Sequence, residues 1–473
     1  MNFASPAFFV FLPVVLCVYH WLRDRQRKYQ FLLVASWFFY MAWNPWFIWV
    51  IVFPTVVDYY AGLWIESAPT PGKRRLWLIA SLIANLGLLA AFKYTAFVVD
   101  NSVSLFHWLG WNMPERTWKI ILPLGISFHT FQGVSYTLDV YRNKLPAVRS
   151  FTDFAMFVAF FPQLVAGPIV RAIEFLPQMV VPPSVSPRQV VEGLNWFVIG
   201  LFKKLFIADR LAQFVDVVFA DPAAFDAATH RWAVLAYAAQ IYCDFSGYSD
   251  MAIGCAKWFG FELPINFNFP YLATSIADLW KRWHITLSTW MRDYLYISLG
   301  GSRLGTGRAA VNLVATMTLC GLWHGASWNY VLWGFYNGVL LAGHRLYDQA
   351  LTGRAWADRL RSGFGYTFVC WAVTLFQFCV GLIFVRSQSW DGCARVLQSF
   401  AGGSATGTSA VPMWAPLLIG LVVIGHAFSG LRGLRCGVLK LPSVVRAVAY
   451  VGAVALVVVL GPGSGKAFIY FQF

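Results

Sequence analysis

The sequence predicts an all-α integral membrane protein of about eleven transmembrane helices, with re-entrant or interfacial helices besides. Three observations carry that expectation. Of the 473 residues, 59% are hydrophobic and 12% are charged, against roughly 25% charged in an average soluble domain. A soluble chain of this length would lack the polar side chains to cover its surface; a chain solvated by lipid needs no such cover. The apolar residues also form near-continuous runs of span length. They point to one polytopic domain over 1–473, in place of the roughly three soluble domains that length alone allows. Finally, 36 Lys and Arg stand against 21 Asp and Glu, for a formal charge of +15. The basic residues collect in short gaps between apolar runs, as at Arg23, Arg25, Arg27 and Lys28, or Lys73, Arg74 and Arg75. That pattern is positive-inside orientation and contact with lipid headgroups, not a nucleic-acid-binding face.

Taken in order, residues 6–22 give the first span, since a span needs about 20 apolar residues. No basic cluster precedes it and one follows it, so its N-terminus is expected outside the cytoplasm and no cleaved secretion signal is indicated. Residues 29–65 lie between two basic clusters and read as two short spans turning at Asn44-Pro45. Residues 76–99 exit, 100–118 form an aromatic, amphipathic stretch on the outer face, and 119–141 return. Residues 151–170 are apolar but carry Pro162, Gly167 and Pro168. Residues 171–189 form a polar, Pro-rich gap. Further apolar runs cover 190–208, 231–256, 309–343 (long enough for two spans), 364–385, 411–428 and 443–460. Residues 401–410, rich in Gly, Ser and Thr, read as a flexible loop. No internal repeat is visible.

The segment 257–308 is too polar to span lipid. Within it, Leu279, Trp283, Leu287 and Trp290 fall on one helical face, and Asp278 and Arg282 are spaced i,i+4 to pair. Irregular polar backbone at membrane depth persists only inside protein or beside water. Residues 261–292 therefore read as a re-entrant or interfacial unit folded into a polar cavity, with an amphipathic surface helix as the alternative.

His324, in Leu322-Trp-His-Gly-Ala-Ser-Trp-Asn329, lies near the middle of the 309–343 run. An ionised side chain at that depth costs about 2.5 kcal/mol or more. The imidazole is therefore expected to be uncharged, the form that accepts a proton from a hydroxyl. The alternative is a hydrogen-bonded structural histidine. His284, in Trp280-Lys-Arg-Trp-His-Ile-Thr-Leu-Ser288, would orient substrate or assist His324; otherwise it is an interfacial histidine. His129, Asp244 and Asp250 also lie in apolar runs. Structural pairing is the expectation for them, since a buried carboxylate needs a partner. Eight cysteines show neither zinc spacing nor a disulfide framework, and no metal site is expected. Gly461-Pro-Gly-Ser-Gly-Lys466 imitates a phosphate loop but lacks its first glycine and has Ala467 in place of Ser or Thr. No G-x-S-x-G elbow occurs.

Several of these segments together resemble the membrane-bound O-acyltransferase family, in particular the bacterial branch that contains the alginate O-acetylation membrane subunit. The resemblance covers essentially the whole chain, with core motifs in 151–345. It rests on Phe161-Pro-Gln-Leu-Val-Ala-Gly-Pro-Ile169, Gly200-Leu-Phe-Lys-Lys204 with Ala208-Asp-Arg-Leu211, and Tyr242-Cys-Asp-Phe-Ser-Gly-Tyr-Ser-Asp250. Asn266-Phe-Asn-Phe-Pro270, Leu279-Trp-Lys-Arg-Trp-His284, Trp290-Met-Arg-Asp-Tyr-Leu-Tyr296 and Leu322-Trp-His-Gly325 complete it. The resemblance implies a ring of tilted helices with funnels from both faces, a catalytic histidine at His324 and a second conserved position at His284. It implies the bacterial inner membrane. The acyl donor, acetyl-CoA or an acyl carrier protein, would enter from the cytoplasm as a substrate, with no tightly bound cofactor. The acyl group would pass to an exported polysaccharide or to a periplasmic SGNH-type acyltransferase.

The tail 468–473, Phe-Ile-Tyr-Phe-Gln-Phe, is similar to a tail of cell-wall acylation systems in which a tyrosine carries the acyl group. That likeness makes Tyr470 a candidate carrier; an interfacial aromatic anchor is the alternative. For an acyl transfer at His324, Trp323, Ser327 or Asn329 would stabilise the oxyanion, and Lys281 and Arg282 would hold donor phosphates. D-alanyl transfer is the alternative chemistry. A transporter or flippase that makes no bond, or a scaffold for a periplasmic transferase, is the alternative in kind.

Overall fold

The computed structural model describes residues 1–164, 167–181, 184–429 and 442–461. Among the described residues the regular elements are helices, apart from one isolated bridge between Phe225 and Thr408. The chain divides into two compact units, Met1–Leu194 with Met251–Pro264, and Asn195–Asp250 with Ile265–Phe473.

In the first unit, helices Pro6–Trp21, Arg25–Met41, Ile48–Ser67 and Pro71–Lys93 follow one another closely. Each start is written in local chemistry. Proline occupies the first turn of Pro6–Trp21 and Pro71–Lys93, where its missing N–H costs nothing. Asp24 caps Arg25–Met41 by accepting from Arg27 N at 2.9 Å. The expected turn at Asn44-Pro45 is present, with Asn44 Oδ1 accepting from Trp46 N at 3.1 Å. Phe8, Phe39 and Phe161 pack together, their ring centroids 5.4 to 6.3 Å apart. Helix Ile126–Tyr141 is buried along almost its whole length. It starts later than expected, after Pro123 and a left-handed Gly125 (φ 72°). A buried polar network faces it: Ser81 Oγ and Asn85 Nδ2 donate to Asp58 Oδ1 at 2.6 and 2.7 Å, and Ser81 Oγ meets Thr137 Oγ1 at 3.1 Å.

One expectation is corrected in this unit. The supposed gap 171–189 contains helix Ala172–Val180, whose Phe175, Leu176 and Met179 are buried. Phe175 stacks on Phe261 at 5.0 Å. The prolines of this stretch concealed an apolar spacing of three to four residues.

In the second unit, a π-helical turn at Phe202–Ala208 precedes helix Asp209–Ala220. Lys204 Nζ sits 2.7 Å from Asp209 Oδ1 and 2.5 Å from Asp244 Oδ1, while Lys203 Nζ sits 2.6 Å from Asp250 Oδ2. Both acceptors Asp244 and Asp250 belong to the long helix Ala227–Trp258. The buried carboxylates thus find lysines of the preceding π turn, which the sequence reading did not pair with them. The loop 401–410 is tied down: Arg231 donates to Ser399 O and Gly403 O, both at 2.9 Å, and Ala410 N donates to Thr229 Oγ1 at 3.1 Å. It is therefore not the free linker its composition indicated.

The expected pair of helices in 309–343 appears as Thr306–His324 and Trp328–Leu351, an antiparallel hairpin. Its backbones approach closely because Gly321 faces Gly334. A Cβ built on Gly334 would stand 3.0 Å from Gly321 Cα and closer still to the Met317 carbonyl oxygen. Small residues at such crossings let two helices pack backbone to backbone.

Three described helical stretches are long and apolar enough to cross a membrane: Pro45–Ser67, Pro71–Lys93 and Phe364–Arg386. Pro6–Trp21, Trp414–Phe428 and Ser443–Val459 are shorter and apolar. Their outward residues include Val10, 69% exposed, and Val458, 76% exposed. Hydrocarbon accepts such faces at no cost, and water does not. The expected count of about eleven exceeds what apolarity and length alone identify. Helices such as Ile126–Tyr141 bury polar groups and do not register as apolar spans.

Candidate active site

His324 is the last residue of helix Thr306–His324, and the chain turns at Gly325 (φ −158°, ψ 142°) into helix Trp328–Leu351. The imidazole therefore stands at the tip of the hairpin. Trp333, from the returning helix, meets it edge to face at 5.0 Å and 90°, and Trp323 lies at 4.9 Å. His324 is 8% exposed. It faces a cavity of about 30 Å³ whose other walls are Ile241, Trp283, Tyr330, Trp333, Phe378, Leu382 and Val385. That volume holds one or two water-sized groups.

His284 reaches the same place from a different segment. The spacing of 274–290 reads as one helix, but the structure breaks it into Ile276–Arg282 and Ile285–Trp290, with His284 between them in the left-handed region (φ 42°, ψ 54°). The break turns the imidazole inward, where it is 0% exposed. Its ring centroid lies 6.3 Å from that of His324 and 4.6 Å from Phe245. Leu279, Trp280, Trp283, Leu287 and Trp290 are buried, so the apolar face of this segment packs against protein.

The structure thus brings together His324, His284 and Trp323, whose ring is 6.4 Å from His284. Other sequence candidates lie apart. Ser327 caps helix Trp328–Leu351 with extended backbone and does not line the cavity. Asn329 Nδ2 donates to Ser387 O at 2.8 Å, which directs that amide to the end of helix Phe364–Arg386. Lys281 is exposed, and Arg282 pairs with Asp278 at 2.9 Å as its spacing predicts. His129 is buried in the first unit. Tyr470 and the tail 468–473 lie outside the described residues. Among the described residues, no three His, Cys, Asp or Glu side chains converge as metal ligands.

A larger cavity, of about 890 Å³, lies along helices Trp328–Leu351 and Phe364–Arg386. Its polar wall includes Thr274, Ser275, His344, Asp348, Arg361 and Gln377. Ser275 caps helix Ile276–Arg282, accepting from Asp278 N at 3.1 Å, and Trp283 follows that helix in the wall of the small cavity. Seven helical residues, a length of roughly 10 Å, therefore separate a residue of one cavity from a residue of the other. The residues sequence reasoning missed are the apolar walls, Tyr330, Trp333, Phe378 and Leu382. Only the buried spacing of Tyr330 and Trp333 after the hairpin turn carried a local signal.

Residues 12–387 match the model of the MBOAT, membrane-bound O-acyltransferase family. The chain is 40% identical to a Pseudomonas aeruginosa protein named "Probable alginate O-acetylase AlgI", over 91% of this chain and 82% of that one. It is 38% identical to a peptidoglycan O-acetyltransferase of Helicobacter pylori, over 85% and 80%. A teichoic acid D-alanyltransferase of Bacillus subtilis is more distant, at 26% over 55% and 69%. With a family match over most of its length and relatives near 40% identity over most of both chains, the chain belongs to the membrane-bound O-acyltransferase family and is an O-acyltransferase.

Proposed function

We propose that this enzyme moves an acetyl group from a cytoplasmic thioester to a hydroxyl of an exported polysaccharide, or of a periplasmic acyltransferase that serves one. It does so as a multi-pass protein of the bacterial inner membrane. The observation that carries the reading is the pair of imidazoles 6.3 Å apart, one of them facing a small cavity. His324 takes the proton of the acceptor hydroxyl, and the oxygen attacks the thioester carbonyl. The tetrahedral intermediate then expels the thiolate, which recovers the proton from the imidazolium. General base catalysis of this kind contributes roughly 10²- to 10⁴-fold.

His284 assists His324 from the buried side. Trp323, packed against both rings, is the oxyanion candidate, while Asn329 holds Ser387 O. The donor is acetyl-CoA or an acyl carrier protein. Its polar body occupies the 890 Å³ cavity beside Arg361 and Ser275, within the size range of small-molecule sites. Lys281 and Arg282, at the end of the intervening helix, add positive charge. Tyr470 is the candidate for relaying the acyl group. The relatives named for alginate and peptidoglycan O-acetylation favour acetyl over D-alanyl. The test is purified enzyme given acetyl thioester labelled in the acetyl group. The reading requires stoichiometric release of free thiol and label bound as an ester. Labelled thioester moved or left intact, with no thiol released, contradicts it.

A further inference from the structure

His284 owes its position to a backbone conformation that side-chain-bearing residues rarely adopt. At φ 42° and ψ 54° it is one of three described non-glycine residues with positive φ. Such a conformation persists only where its surroundings over-determine it. The surroundings here come from Asn266, which is 1% exposed.

The backbone from Asn266 to Asn268 runs beside the break and holds both of its ends. Asn268 N donates to Arg282 O at 2.9 Å, just before His284. Ile285 N donates to Asn266 O at 2.9 Å, just after it. The side chain repeats the grip. Asn266 Oδ1 accepts from Thr286 Oγ1 at 3.0 Å and from Thr286 N at 3.4 Å, so it satisfies an N–H that the start of helix Ile285–Trp290 leaves without an intrahelical acceptor. Its Nδ2 donates to Ser249 Oγ at 3.3 Å. Ser249 belongs to helix Ala227–Trp258, the same helix whose Phe245 packs on the His284 ring. One asparagine therefore ties the backbone around His284 to the helix that forms a wall for its imidazole.

We propose that Asn266 is the positioning residue of His284, setting the imidazole against His324 without touching substrate. The inference rests on the reading of His284 and His324 as the reacting pair. A positioning role differs from general stability in what it moves. A displacement near 1 Å costs up to about a hundredfold in turnover while leaving substrate binding alone.

The test is kinetics of purified full-length enzyme with acetyl thioester as donor. Asn266→Ala lowers kcat by about tenfold to a hundredfold, with KM for the donor within about twofold of the parent. Thr286→Val, which removes only the hydroxyl that meets Asn266 Oδ1, lowers kcat in the same way to a smaller extent. Thr286→Ser, which keeps the hydroxyl, restores it. The double variant Asn266→Ala/Thr286→Val is no slower than Asn266→Ala, because both changes act through one clamp. Parental kcat in Asn266→Ala, a rise in KM in place of the fall in kcat, or losses that multiply in the double variant overturn the proposal. Where Asn266→Ala does not fold, the Thr286 pair decides: Thr286→Val as fast as Thr286→Ser overturns it. Loss of turnover in His284→Ala with none in Asn266→Ala sinks this inference alone. Parental turnover in both sinks the reading of His284 as well.

Discussion

The rings of His284 and His324 stand 6.3 Å apart and inclined by 58°, although forty residues of chain separate them. One imidazole is delivered by the end of a helix and the other by the interruption of one. The interruption buries His284 completely, while the helix end leaves His324 at a cavity wall.

The buried lysine at 204 is the first point of test. Lys204 is 3% exposed and meets both Asp209 and Asp244. Removing one member of a buried ionic group leaves charge uncompensated and costs about 3–5 kcal/mol. Lys204→Met is therefore expected to lower the unfolding temperature in detergent by several degrees. Adding Asp209→Asn and Asp244→Asn to it should recover much of the loss. Thermal unfolding followed by fluorescence checks this, and an unchanged midpoint for Lys204→Met contradicts it.

Local signals made part of this architecture legible. The turn at Asn44-Pro45, the division of 309–343 into two helices, and the Asp278–Arg282 pair all follow from chain neighbours: a cap, a Gly-containing turn, an i,i+4 spacing. The break at His284 does not. Leu279, Trp283, Leu287 and Trp290 recur as on one continuous helix, and all four are buried. The interruption is held by Asn266, which periodicity within 274–290 cannot report. For the same reason the pairing of Lys203 and Lys204 with Asp250 and Asp244 was invisible: the partners lie some forty residues apart and meet only when helix Ala227–Trp258 packs on the π turn.

The hairpin that carries His324 depends on backbone contact. Gly334→Val places a Cβ 3.0 Å from Gly321 Cα and into the Met317 carbonyl. Since backbone cannot move aside as a flexible side chain does, the helices must separate. Overpacking of this kind costs about 1–3 kcal/mol. We expect both a lower unfolding temperature and a loss of acyl transfer, because the tip of the hairpin moves with its stem. Parental activity in Gly334→Val contradicts the rigid-hairpin account.

Acyl length follows from the cavity beside His324. At about 30 Å³ it is lined on one side by Phe378, Leu382 and Val385. One methylene in an apolar pocket is worth about 1–3 kcal/mol of discrimination. Leu382→Ala enlarges the wall and is expected to raise the rate with a butyryl thioester relative to an acetyl thioester. Competition between the two donors measures the ratio. An unchanged ratio, in protein that remains folded, places the acyl group elsewhere.

The most direct test of the central claim is acyl transfer by purified His324→Ala. The variant removes a side chain at the hairpin tip that is not part of the helix crossing, so the protein is expected to insert and fold. The account predicts that thiol release from acetyl thioester falls at least about a hundredfold while the unfolding temperature stays close to the parent's. Folded His324→Ala that transfers acetyl at near the parental rate would contradict it.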